Sequence, residues 1–142
     1  MRISFDLDDT LICYQESVPA EPCRFTWLAR EPLRLGAKAL ILELQQSGHD
    51  VGIYTTSYRE PWKIRLWLLC YGLRPAFVLT QRDNDAHKIH NKAPRAFGIA
   101  CHVDDDETVA DIHLQPEYSD WRERVRGRLI ADGRLLGLRD YP

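Results

Sequence analysis

The chain has 142 residues, 44% of them apolar and 28% charged, which is the balance of one ordinary globular domain and excludes a disordered or fibrous chain. Its 19 basic and 21 acidic residues leave a formal charge of −2, which argues against nucleic-acid binding through bulk basic charge. No apolar run reaches the roughly 18–20 residues of a membrane span, and the opening MRISFDLDD turns acidic too soon for a secretory signal.

In chain order, the first apolar run, Ile3-Ser4-Phe5, ends abruptly in Asp6-Leu7-Asp8-Asp9 and reads as a short buried strand. Residues 14–30, with Pro19, Pro22 and mixed polar and aromatic side chains, read as a long loop, and loops of that length are uncommon unless functional. Leu33, Ala37, Leu40 and Leu44 fall on one face of a helix, with Pro32 near its start and Gly48 just past its end. A second strand, Val51-Gly52-Ile53-Tyr54, runs into Thr55-Thr56-Ser57. Trp62, Leu66, Leu69 and Cys70 mark a second helix stopped near Gly72. Its start is given either by a capping box at Ser57-x-x-Glu60 or by Pro61 at the first helical position. Phe77-Val78-Leu79-Thr80 reads as a third strand and Cys101-His102-Val103 as a fourth, the latter ending in Asp104-Asp105-Asp106. Trp121, Val125 and Leu129 predict a last helix with Ser119 as its N-cap, and residues 127–142 have no clear period. Trp62, Trp67 and Trp121 are expected in the core. Strands alternating with helices imply right-handed βαβ units around a parallel sheet.

Ligands of open parallel sheets bind outside the carboxyl ends of the strands. Asp6, Asp8, Thr55, Asp104 and Asp105 all lie at such ends and can converge on one crevice. Converging carboxylates repel unless a cation or a difference in protonation offsets the cost, and an all-oxygen set suits Mg²⁺. Thr56, Tyr58 and Arg59 follow at the mouth of that crevice, where a guanidinium can fork onto a substrate phosphate and a phenol ring can stack. Tyr14 and Arg24 are weaker candidates of the same kind. His87-x-x-His90 has helical spacing, but a zinc site needs two further ligands, with Asp83 and Asp85 the nearest acids. The four cysteines, Cys13, Cys23, Cys70 and Cys101, are scattered without a C-x-x-C pair, as expected of reduced thiols in a cytoplasmic protein.

Phe5-Asp6-Leu7-Asp8-Asp9-Thr10-Leu11, Tyr54-Thr55, Asn91-Lys92-Ala93-Pro94 and His102-Val103-Asp104-Asp105 together resemble the four motifs of the haloacid dehalogenase-like superfamily of aspartate-nucleophile phosphohydrolases. The resemblance covers a motif-bearing core of about residues 2–111 and leaves a C-terminal extension of about 112–142 within one domain. It implies an α/β, three-layer Rossmann-like domain with a central parallel sheet. It also implies a Mg²⁺-dependent phosphomonoesterase in which Asp6 attacks phosphorus and forms an aspartyl-phosphate. Asp8 serves as acid and base, Thr55 holds a phosphoryl oxygen, and Lys92 offsets transition-state charge; Lys88, one helical turn earlier, is the alternative. Asp6, Asp104, the Asp8 carbonyl and Asp105 are the implied cation ligands. An acid at position 8 favours phosphoryl transfer over dehalogenation, because a halide leaves without a proton. The 45 positions from Thr10 to Thr55 and the 37 from Thr55 to Lys92 are too few for a large cap domain, so the expected substrate is a small or macromolecular phosphate ester reaching an open site. Two other readings share these residue types: a receiver-like phospho-accepting module, whose order of acids, Thr and Lys differs from that seen here, and a non-catalytic binding domain.

Overall fold

The computed structural model describes residues 1–23, 25, 27 and 31–131. Five strands, β1 (Arg2–Phe5), β2 (Asp50–Tyr54), β3 (Val78–Leu79), β4 (Cys101–Asp104) and β5 (Ile112–His113), form one sheet in the order β3-β2-β1-β4-β5. Every neighbouring pair is parallel. Helices α1 (Ala37–Gln46), α2 (Pro61–Cys70), α3 (Gln81–Ala86) and α4 (Trp121–Ala131) surround it, with a 3₁₀ turn at Pro94–Phe97. The chain works outward from β1 to β3, then returns to lay β4 on the other side of β1. This α/β, Rossmann-like arrangement places its topological switch point between β1 and β4, where such sheets open a crevice.

The strand period of two divides the sheet's side chains between two covered faces. Ile3 and Phe5, Val51 and Ile53, Cys101 and Val103 share one core with α1, α2 and α4. The alternate positions, Ser4, Gly52, Tyr54, His102 and Asp104, lie on the opposite face. There Tyr54 packs with Phe77 and Ile99, and its hydroxyl donates to Asn84 of α3 at 2.6 Å. Gly52 is required at that crossing: a Cβ would fall 2.5 Å from the Phe77 carbonyl oxygen.

Three of the helices depart from the predicted elements. Leu33 is buried but precedes α1; it pairs with Ile12 in an antiparallel bridge, and the helix begins after Gly36, whose φ of 89° is left-handed. Helix α2 starts at Pro61, so proline's preset φ prevails over the Ser57-x-x-Glu60 box, and the capping box belongs instead to Thr80 and Asp83 at the head of α3. Its buried face is Ile64, Trp67 and Leu68, whereas Trp62 is 60% exposed and Leu66 and Leu69 also face outward. The sequence Pro-Trp-Lys-Ile-Arg-Leu-Trp-Leu-Leu-Cys is apolar on nearly every side, so its periodicity does not single out a face. Helix α4 begins after Asp120, not Ser119: the Asp120 carbonyl accepts from Arg124 N at 3.0 Å.

Among the described residues, the stretch between β1 and α1 holds isolated bridges and no helix or strand. Glu21 within it caps α1, accepting from the backbone N–H groups of Gly36 (2.9 Å) and Lys38 (3.4 Å). Arg24 and residues 132–142 lie outside the described residues. The sheet continues past the motif-bearing core, since β5 pairs with β4 through Val103 and Ile112. Arg34, 2% exposed, ties this later part to the first loop. Its guanidinium donates to the carbonyls of Thr10, Gln115, Pro116 and Tyr118 and lies 4.8 Å from the Trp121 ring.

Candidate active site

Three carboxylates meet at the switch point. The Asp6 N–H donates to the Val103 carbonyl at 2.9 Å, which carries the β1–β4 ladder one residue past β1 and sets Asp6 beside Asp104. Ligand oxygens of Asp6, Asp104 and Asp105 lie within 4.8 Å of one another. Lys92 completes the cluster: its ammonium donates to Asp6 Oδ1 at 2.9 Å and to Asp104 Oδ2 at 2.6 Å. Tyr54 fixes the segment that delivers it, since the Tyr54 hydroxyl accepts from Ala93 N at 3.0 Å and the Lys92 Nζ stands 5.6 Å from the Tyr54 ring. Lys88 is exposed with a φ of 55°, so Lys92 is the lysine at the cluster.

One ammonium does not neutralise three acids. Burial, opposed by Lys92 and reinforced by Asp104, pushes the Asp6 carboxyl up to about 8. Burial and the neighbouring Asp104 push Asp105 to about 6. Burial also works against charge on Asp104, but the hydrogen bond from His102 and the Lys92 ammonium outweigh it and hold that carboxyl well below the usual range. Without a cation, protons must therefore occupy part of this cluster at neutral pH. A set of carboxylate oxygens that carries more acids than it can ionise is a fitting seat for a hard divalent ion. His102 stays neutral because burial lowers its affinity for a proton.

Asp8 faces elsewhere. The turn after β1 folds tightly, with the Leu7 carbonyl accepting from the N–H groups of Thr10, Leu11 and Ile12 and with Asp9 at a φ of 61°. From this turn the Asp8 carboxylate meets a fork from Arg59, Nη1 to Oδ2 at 2.9 Å and Nη2 to Oδ1 at 3.0 Å, and a donation from the Tyr14 hydroxyl at 3.2 Å. Arg59 also binds Glu31 at 3.0 Å. So the side chain of Asp8 stands apart from the three-acid cluster, and Arg59, expected on a substrate phosphate, is paired with Asp8 and Glu31. Tyr58, expected to stack, donates to Asp85 at 2.8 Å with its ring exposed.

Thr55 is buried at the end of β2, its Oγ1 donating to Ser57 Oγ and accepting from Ser57 N, both at 3.2 Å. Thr56 lines a cavity of about 640 Å³ together with Asp6, Asn91, Lys92, Asp104 and Asp105. A second cavity, of about 480 Å³, joins apolar Leu7, Ile12, Ile64 and Trp67 to Glu31, Tyr58 and Arg59. His87 and His90 gather no zinc ligands. Asp83 caps Thr80 N, Asp85 receives Tyr58, and among the described residues the three-acid group is the one metal-capable cluster.

Ser4, Tyr54 and His102 were not among the expected site residues, yet all three border the cluster. Each lies on the same strand face as Asp6 or Asp104, or next to it, so the period-two pattern was the available signal. Comparison of the chain with protein-family models, with curated proteins and with solved structures finds no match.

Proposed function

We propose that this protein is a Mg²⁺-dependent phosphomonoesterase of the haloacid dehalogenase-like type, with Asp6 as nucleophile. The observation that carries this reading is the meeting of Asp6, Asp104 and Asp105 at the β1–β4 switch point with Lys92 bridging two of them. Asp6, Asp104 and Asp105 would hold the cation, which when bound supplies positive charge that shields phosphoryl oxygens and favours an ionised Asp6.

The chain's residues then divide the work. An Asp6 oxygen forms a bond to phosphorus while the bond to the leaving oxygen breaks, giving an aspartyl-phosphate. Asp8, turned out of the Arg59 fork, gives its proton to the leaving oxygen and then takes one from water. The water oxygen bonds to phosphorus, the Asp6–phosphorus bond breaks, and inorganic phosphate and the Asp6 carboxylate return. The Thr55 hydroxyl, turned from Ser57, donates to a phosphoryl oxygen, and Lys92 offsets the charge spread over the transferring group. Thr56, which lines the 640 Å³ cavity, would meet the ester there, and Tyr58 and Arg59, which line the 480 Å³ cavity, would meet the part of the substrate beyond phosphorus. The substrate, small or macromolecular, reaches a site with no large cap, and the scattered thiols accord with a cytoplasmic location.

The strand order weighs against the receiver alternative, since receivers of the flavodoxin-like type run 2-1-3-4-5 and this sheet runs 3-2-1-4-5. The test is release of p-nitrophenol from p-nitrophenyl phosphate by the purified chain. Turnover that requires Mg²⁺, stops with chelator and falls by about a thousandfold or more in Asp6→Asn supports the reading. Metal-loaded protein inert toward a broad panel of phosphate esters overturns it.

A further inference from the structure

Beneath the three-acid cluster runs a buried polar chain. The Ser4 hydroxyl and His102 Nδ1 are 2.7 Å apart, and His102 Nε2 is 2.8 Å from Asp104 Oδ2. Ser4 and His102 are 0% exposed and Asp104 is 2% exposed. The connectivity is that of a hydrolytic Ser-His-Asp triad, but the burial rules out that chemistry: no ester can reach a hydroxyl enclosed on this face of the sheet. Nor does the fold need polar groups there. A buried hydroxyl and imidazole are tolerated in a strand only when hydrogen-bonded.

What the chain does is hold one carboxylate. Asp104 Oδ2 accepts from both His102 and Lys92, and its Oδ1 accepts from Asp106 N at 3.0 Å. Those three donors fix the rotation of the carboxyl group. With Asp104 ionised, His102 Nε2 must carry the proton, so Nδ1 accepts from the Ser4 hydroxyl. The order of donors then runs Ser4 to His102 to Asp104.

We propose that His102, backed by Ser4, is a positioning residue that aims the Asp104 carboxylate at the divalent cation. The proposal rests on the reading of the cluster as a cation site. Outer partners of metal-binding carboxylates fix their orientation, and loss of such a partner weakens metal affinity by about 10- to 100-fold. Calorimetric titration of Mg²⁺ into the full chain tests it, comparing wild type with His102→Leu, His102→Gln and Ser4→Ala. We expect His102→Leu to weaken Mg²⁺ binding by about 10- to 100-fold. His102→Gln, whose amide nitrogen reaches the place of Nε2, should stay within about threefold of wild type, and Ser4→Ala should fall between the two. In p-nitrophenyl phosphate hydrolysis, the Mg²⁺ concentration for half-maximal rate should shift in the same order, while KM for the ester at saturating Mg²⁺ holds. Should His102→Leu not fold, the Gln and Ala variants and the ¹⁵N spectrum of the wild-type imidazole decide: a proton on Nε2 supports the proposal and a proton on Nδ1 overturns it. Mg²⁺ binding by wild type with equal affinity in the folded variants overturns the positioning role and leaves the cation site standing. No Mg²⁺ binding by wild type overturns both.

Discussion

Asp6, Asp104 and Asp105 set three carboxylates against the single ammonium of Lys92, and in the metal-free protein protons make up the difference. Asp105 at about 6 and Asp6 at about 8 both stand above their ordinary value of 3.8, so each binds its proton more tightly folded than unfolded. Their contribution to stability is complete below the ordinary carboxylate range and is lost as pH rises through about 6 and then about 8. Asp104 has the opposite sign: held below its ordinary value, it stabilises above that value and ceases to do so in acid. Thermal unfolding in chelator should therefore show Tm falling between pH 5 and pH 9, by about 3 °C for each kcal/mol lost. Added Mg²⁺ should flatten the decline by taking the place of the protons. A Tm that climbs from pH 6 to pH 8 in chelator would contradict the charge balance described for this cluster. The acids themselves were legible in the sequence because each ends an apolar run. His102 was visible beside them, but its partner Ser4 lies 98 positions away, and nothing local announces that pairing.

Helix α2 shows what an element's own sequence leaves undetermined. Its apolar residues occur at so many positions that Trp62, Leu66 and Leu69 make as good a stripe as Ile64, Trp67 and Leu68. Packing into the core with the sheet selects the second set. Truncation distinguishes the two faces. Ile64→Ala should cost about 2–4 kcal/mol in urea unfolding, since it opens a cavity beside the core. Leu66→Ala, on the outward face, should cost about 0.5 kcal/mol or less. Equal losses would mean that the outward stripe is covered. Helix α3 escaped the sequence reading for the opposite reason: Gln-Arg-Asp-Asn-Asp-Ala offers no apolar period, and its start is marked only by the Thr80–Asp83 box. The strands were easier, because β1, β2 and β4 are buried on both faces and end sharply in polar side chains.

For the molecule as a whole, the parallel sheet and the meeting of acids from the ends of β1 and β4 were readable from the apolar runs that those acids close. The edge was not. β5 contributes only Ile112 and His113, too short a run for any pattern, and α4 is polar enough that its place was fixed only through Trp121, Val125 and Leu129. These late elements lie beyond every motif, yet the Arg34 guanidinium grips them and the turn that carries Asp8 in one hand. A protein cut after Asp111 keeps every acid and lysine of the site. It should nonetheless melt without a cooperative transition in circular dichroism, because three of the four carbonyls that hold Arg34 in place belong to Gln115, Pro116 and Tyr118. The smallest unit able to assemble this acid cluster is therefore longer than the stretch that encodes it, and the added length acts as a keystone for the loop that follows β1.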